Sequence, residues 1–437
     1  MKKLIKRYFP AIVRLSRPIR LLINKVVSDL RLKYYLNSRD KLHTKRLSII
    51  RKKLAENKKI NIAFIVFDPS IWKYERLYRL LELDGRFIPT IVFAVANFQD
   101  SKESLTKNQA FFSRTYNTLG GFDSATYNHK DFHKKLHPDI VVTSAPYNYF
   151  HKNFNIYKMT KYLTIYAQYG INLHYIKSVF INDHNNLLWR CYVESDYHLH
   201  LYNSWLKELG LSNYNLRSCG YPGADDIKQI IYDTDSLPIK KRKLVIWAPH
   251  WSIDKSSKFI SIGTFLDYYL IMVDIAKDYS EDIDFVLKPH PLLTKWLSKK
   301  EFLGGDLTNE YFDKWKFGVN TKLKEDNYIE LFNQSDAIIH DSGTFIVEYL
   351  YTMKPAAYLT NNEFDLSFFN YYGKEALKSY QIIKNKNEIT YFLDNLLAGI
   401  DPKLEQRRGF FNKYLRDHHN ASECIYRDVL DSIITDS

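Results

Sequence analysis

Three short stretches of this chain hold residue types and spacings suited to chemistry: Lys288-Pro289-His290-Pro291, Ala248-Pro249-His250-Trp251 and Asp341-Ser342-Gly343-Thr344. Two prolines bracket His290 just past the apolar run 285–287. That rigidity, with Lys288 beside it, suits recognition of a pyrophosphate. His250 follows the apolar run 246–248 in the same manner. The third stretch follows residues 337–339, a run apolar enough to be buried. There Gly343 admits close approach of a ligand to the backbone. Ser342 and Thr344 offer hydroxyls or a helix cap, and the amides that open a helix complete an anion site. Taken alone, Asp-x-Gly-Thr reads equally well as a capped helix start.

The elements that must position these stretches are legible from composition. Residues 62–67, 91–96, 140–144, 163–167 and 197–202 are short runs rich in β-branched and aromatic side chains. A second series follows at 244–248, 283–287, 337–339 and 356–359. Strands alternating with longer amphipathic segments predict parallel sheets covered on both faces. Phe345-Ile346-Val347 favours strand by propensity, but a parallel connection requires a crossover, so a helix is predicted there. The passage 220–243 separates the two series. The predicted division is 1–57 as a basic helical extension, 58–235 as a first Rossmann-like domain, 236–385 as a second, and 386–437 as a helical end. Ligands of such sheets bind at the carboxyl ends of the strands, where all three stretches fall.

The formal charge of +14 suggests nucleic acid until it is mapped. Residues 1–60 hold 19 Lys and Arg against Asp29, Asp40 and Glu56, leaving 44 basic and 46 acidic residues for 61–437. The body is near neutral, and no nucleic-acid motif accompanies the charge. Ile5, Phe9, Ile12, Leu15, Ile19, Leu22, Val26 and Leu30 recur at helical spacing among the basic residues. Such a segment suits an anionic membrane surface, or else packing on the body with its charges solvated. Pro10 and Pro18 predict two or more helical pieces. No run of about 18 apolar residues is present, and Arg14, Arg17 and Arg20 interrupt what would be a signal-peptide core. Three scattered cysteines, Cys191, Cys219 and Cys424, suggest neither a disulfide framework nor zinc. A cytoplasmic protein, peripheral on the inner face of the membrane, is expected. Asp233-Thr234-Asp235 and Asp282-Ile283-Asp284 match a metal-holding Asp-x-Asp but lie in a linker and at a strand start. His418-His419 is expected to be solvated. No dinucleotide or phosphate-loop motif occurs, so no cofactor and no metal are expected.

In order, Gly220-Tyr221-Pro222, Ala248-Pro249-x-Trp251, Lys288-x-His290-Pro291, then Ser335-Asp336 with Asp341 and Thr344, resemble the CDP-glycerol glycerophosphotransferases. Those enzymes make teichoic acids and related capsule polymers on a GT-B fold, two Rossmann-like domains facing a cleft. Residues 62–67 and Trp72-Lys73-Tyr74-Glu75 are similar to capsule-locus members of the group. The resemblance covers residues 60–385 and is densest after 220. It implies His290 as acid/base or phosphate ligand. It also implies Lys288, Ser342, Gly343 and Thr344 as donor-phosphate contacts, Asp341 as the residue orienting the turn, and Glu348 at the nucleotide ribose. The family's first-domain Trp-His-Gly, whose histidine is the proposed base, aligns here with Gln168-Tyr169-Gly170. Tyr169, His250 and His174 are the replacements available, a tyrosine needing a much lowered pKa.

The expected reaction moves a polyol phosphate from a CDP-activated donor to a hydroxyl of a lipid-linked or growing glycan, with CMP leaving. Two other enzymes share the fold and donor turn: a glycosyltransferase using a nucleotide sugar, and a sugar-nucleotide 2-epimerase. A degenerate transferase serving as an assembly partner is the non-enzymatic alternative.

Overall fold

The structure, a computed structural model, describes residues 17–94, 101–112, 115–118, 131–146, 154–211, 215–227, 242–254, 262–325, 328–362, 364–418 and 420–435. Ile5, Phe9, Ile12, Leu15, Asp233-Thr234-Asp235 and His419 lie outside the described residues, as do the side chains of Ile19, Leu22 and Val26.

Among the described residues, twelve parallel strands form two sheets. The first holds β1 (Ile60–Val66), β2 (Phe87–Phe93), β3 (Ile140–Thr143), β4 (Leu163–Ala167), β5 (Arg190–Val193) and β6 (Leu216–Ser218), in the order β2-β1-β3-β4-β5-β6. The second holds β7 (Lys243–Ala248), β8 (Ile283–Leu287), β9 (Thr321–Leu323), β10 (Ala337–His340), β11 (Ala356–Leu359) and β12 (Gln381–Ile383), in the order β12-β11-β10-β7-β8-β9. In each sheet the central strands are buried along nearly their whole length, as expected where helices cover both faces. The order reverses beside β7, so the ends of β7, β8 and β10 lie side by side, which is where open α/β sheets bind ligands.

One expected strand is a helix. Tyr197 and Tyr202 lie within Asp196–Glu208, whose start is capped by Ser195 and carries Asp196 in its first turn. His198, Tyr202, Trp205 and Leu206 are its buried face, at spacings of three and four. The strand in that region is β5, immediately before. Phe345–Glu348 is helical, as parallel connectivity required and against its local propensity.

The first and last described helices both pack on the first domain. A helix, Arg17–Ala55, opens on Arg17-Pro18, and the pieces expected before it lie outside the described residues. Pro18 is its second residue, where the missing amide hydrogen costs nothing. Ile50 is fully buried in the core beside β1, and Leu32, Tyr35 and Leu36 pack against the other face of the sheet. Lys53 donates to both carboxylate oxygens of buried Asp139 at 2.8 Å. Leu30 is exposed.

At the other end, Lys386–Leu397 covers the second sheet through Ile389, Phe392 and Leu393. The chain then returns to the first domain. The helix Ala421–Ile434 buries Ile425, Val429 and Ile433 in the core that β1, β3 and the helix Glu75–Leu83 share. Asp225, in the segment leaving the first sheet, accepts from the amides of Ala421 and Ser422 at 2.9 and 2.8 Å. This return also joins Cys219 to Cys424 in a disulfide, correcting the expectation of unpaired cysteines. Spacing gave no hint because the partners are 205 residues apart. Cys191 is the free, buried thiol.

Candidate functional site

Asp341 organises the second domain's side of the cleft. It is fully buried just past β10. One carboxylate oxygen accepts from the His250 amide, and the other from the amide and hydroxyl of Thr264, the hydroxyl at 2.9 Å. One side chain therefore ties together the ends of β7 and β10 and the start of the helix Phe265–Asp278. Burial pushes its pKa up to about 6 against the lowering effect of those hydrogen bonds. Both carboxylate oxygens of Asp341 are thus engaged within the protein.

The histidines around this turn are fixed in defined tautomers. Nδ1 of His290 accepts from the Leu292 amide at 3.1 Å. Nδ1 of His250 sits 2.8 Å from Ser252 Oγ, which itself accepts from the Ile262 and Gly263 amides and so donates its own hydrogen to His250. Nδ1 of His340 accepts from the Ser342 amide at 3.1 Å. A neutral imidazole that accepts at one nitrogen carries its hydrogen on the other, so all three bear Nε2–H. The rings of His250 and His290 meet edge to face, 5.2 Å between centres. Burial lowers the pKa of His290 to about 4 and that of His340 to about 3. It lowers that of His250 well below the usual range, with His290, His174 and His340 adding to the effect. His250 and His290 are thus neutral hydrogen-bond donors near pH 7, suited to phosphate oxygens, whereas the His340 Nε2 is buried among Phe345, Tyr358 and Tyr380.

Lys288 is buried, with Nζ donating to the Glu325 carbonyl at 3.1 Å. Glu348, one helical turn past Thr344, is also buried; Oε1 accepts from Tyr221 at 3.1 Å, while Oε2 has no hydrogen bond. Tyr328 lies beside it, holding Nζ of first-domain Lys73 at 2.8 Å. Burial lowers the Lys73 pKa, and Glu348 and Asp226 oppose that shift. Sequence reading singled out Glu348 but missed Lys73 and Tyr328, because only folding brings residues 73, 221, 328 and 348 together.

The first domain contributes the loop after β4. A Cβ on Gly170 would lie 3.0 Å from Thr344 Cγ2, so glycine is what permits this approach. The Tyr169 ring packs against the first domain's core, and its carbonyl accepts from Tyr221 at 3.2 Å. Ile171 and Leu173 are buried in the second domain's core cluster. The Asn370 amide donates to the Leu173 carbonyl at 2.8 Å, and its side chain to that of Asn172 at 3.0 Å. Asn172 is held in turn by Glu194, Tyr202 and His198, and its Oδ1 receives the His174 amide at 3.1 Å. This train carries His174 across the cleft onto Phe368 and Phe369.

The structure therefore gathers His250, His290, Lys288, Asp341, Ser342, Gly343, Thr344 and Glu348 on one wall, with Tyr169 turned back into its own domain. The set-aside signals lie elsewhere. Asp282 and Asp284 sit at the amino end of β8, where Asp284 pairs with Arg242. His418 is half-buried against Asp196 rather than solvated. Among the described residues no group of three or more His, Cys, Asp or Glu is arranged to hold a metal.

No family model and no curated protein matches the chain. Solved structures do. A histidine variant of the wall teichoic acid polymerase TagF aligns over 89% of this chain and 97% of its own, with a TM-score of 0.58 at 14% identity. A second TagF variant aligns over 94% and 98%, with 0.53 at 15%. UDP-GlcNAc 2-epimerase from Neisseria meningitidis, bound to UDP-GlcNAc, aligns over 85% and 100%, with 0.52 at 14%. Two six-stranded parallel sheets, the reversal of strand order beside β7, the C-terminal helix returned to the first domain and these likenesses together make the chain a GT-B protein.

Proposed function

We infer that this protein transfers a polyol-phosphate unit, glycerol phosphate foremost, from a CDP-activated donor to a hydroxyl of a lipid-linked or growing cell-surface polysaccharide, releasing CMP. The observation that carries the reading is the pair of fixed Nε2–H donors on His250 and His290, held with Lys288 around the Ser342-Gly343-Thr344 turn. A transferring phosphoryl group asks its protein mainly for positioning and for stabilisation of charge on its oxygens. Buried, pre-oriented donors supply both. Glu348, buried one turn past Thr344 beside Tyr221 and Tyr328, is the residue the resemblance assigns to the nucleotide ribose. The ordered motifs shared with CDP-glycerol glycerophosphotransferases and the fold likeness to TagF support the same choice.

Release of CMP from CDP-glycerol tests it. His290→Ala is expected to lower kcat/KM about 100-fold or more, while EDTA leaves turnover unchanged. Release of UDP from UDP-sugars, with CDP-glycerol untouched, would establish the glycosyltransferase reading instead. Epimerisation of a nucleotide sugar without nucleotide release would favour the 2-epimerase, whose fold is equally similar. Binding of CDP-glycerol without turnover would leave the assembly-partner role.

The same reading puts the basic N-terminus on an anionic membrane surface from the cytoplasmic side. Co-sedimentation with phosphatidylglycerol vesicles is expected to be lost on deleting residues 1–31; binding that survives this deletion would count against it.

A further inference from the structure

The proposed transfer needs a group that takes the proton of the attacking hydroxyl, and the residue aligned with the family's base is no histidine. The second domain does not offer one. His250, His290 and His340 each accept at Nδ1 and present Nε2–H, so the nitrogen each could turn to the cleft already carries a hydrogen. Tyr169 packs its ring away from the turn.

His174 is placed differently from all four. A methyl group added to Gly343 would lie 3.6 Å from its Nε2, so that nitrogen sits directly over the turn. Its Nδ1 is buried without a hydrogen bond, so no protein donor forces the hydrogen onto Nε2. The ring rests on Phe368 and Phe369, 4.4 and 5.2 Å between centres, and its backbone is fixed through Asn172. Burial lowers its pKa to about 4, with a hydrogen bond to the Phe368 backbone opposing, so the ring is neutral near pH 7, and in its Nδ1–H tautomer Nε2 is the accepting nitrogen. Among titratable groups, His250 is coupled to it across the cleft, with His290 and His340 coupled to His250 in turn.

We propose that His174 is the acceptor-side general base of this chain, a role that rests on the transfer reading above. The acceptor oxygen forms a bond to the donor's β-phosphorus as the bond from that phosphorus to the bridging oxygen breaks. The hydroxyl proton passes to His174 Nε2, and the electron pair leaves with CMP. The Nε2–H groups of His250 and His290 stabilise charge on the phosphates from the opposite wall. The approaching phosphates also raise the His174 pKa, moving it toward the range in which a base works well.

The test uses the full chain, CDP-glycerol and a lipid bearing a short glycerol-phosphate oligomer. His174→Gln is expected to lower kcat by 10²–10⁴-fold, the range for loss of a general base, with the Kd for CDP-glycerol within about threefold of wild type. The acid limb of the kcat–pH profile is expected to vanish with it. His174→Ala should regain part of its turnover in added imidazole, which also covers the case in which the glutamine variant folds poorly. A kcat within about threefold of wild type in both variants, or a loss of donor affinity as large as the loss of turnover, would overturn the assignment while leaving the transfer reading intact. A wild-type chain that releases no CMP sinks both.

Discussion

At the scale of single residues, Asp341 and Gly343 sit two positions apart and do different work. Asp341 is occupied entirely by the protein, accepting from Thr264 and His250. Asp341→Asn replaces one acceptor with a donor facing backbone amides, and a buried donor left unsatisfied costs about 1–3 kcal/mol. A lowered Tm, with donor affinity falling because His250 shifts, is the expected result. Gly343 is the converse. A methyl group there meets only ordinary contacts, 3.6 Å to His174 and 4.0 Å to Ile262. Gly343→Ala should therefore leave Tm within a degree or two yet weaken CDP-glycerol binding at least tenfold by calorimetry; a large loss of Tm would show the glycine serves the fold instead. Sequence marked both residues because a strand running into Asp-Ser-Gly-Thr is a local pattern. His174 was visible only as one replacement among three, since what singles it out is the long-range stitching of Asn172 to Asn370 and the tautomers imposed on its rivals.

At the scale of elements, legibility followed burial. Strands β4, β8 and β11 lie at the bounds expected, because central parallel strands are continuous apolar runs. The three-residue strands β6, β9 and β12 gave too little pattern to read. Residues 197–202 misled because tyrosines carry strand propensity, while the Ser195 cap and the buried stripe from His198 to Leu206 decide for helix. The N-terminal helix was legible as amphipathic and basic, with packing on the body one of two readings, but its partners were not, because Lys53 meets Asp139 86 residues away. Replacing Lys53 with Met leaves buried Asp139 with Arg46 and the Asn61 amide as partners, a loss of about 1–3 kcal/mol; urea melts should show it. A deletion of residues 1–31 should cost far less than one of 1–55, which removes both Lys53 and Ile50.

At the scale of the molecule, the buried histidines set an acid limit. His43, His174, His184, His290 and His340 have pKa values lowered to about 3 or 4 from 6.5. As pH falls below 6.5 the unfolded chain binds protons that the folded chain refuses, so stability declines between about pH 6.5 and 4. Asp225 and Asp341, raised to about 6 from 3.8, act oppositely, since the folded state there holds protons the unfolded state has lost. His250 and His418 are lowered as well and Asp226 is raised, so seven histidines against three carboxyls leave the histidines dominant, and Tm should drop steadily from pH 7 to 5; a rise would refute the balance. The C-terminal helix has a consequence for synthesis. Its apolar face completes the core of a domain whose other parts leave the ribosome some two hundred residues earlier. Until residues 421–434 are made, Leu77 and Leu81 of the helix Glu75–Leu83 and the neighbouring strands lack their cover. Of the two domains the earlier is thus finished after the later, and chains stalled before residue 421 should be held by chaperones rather than released with that domain folded.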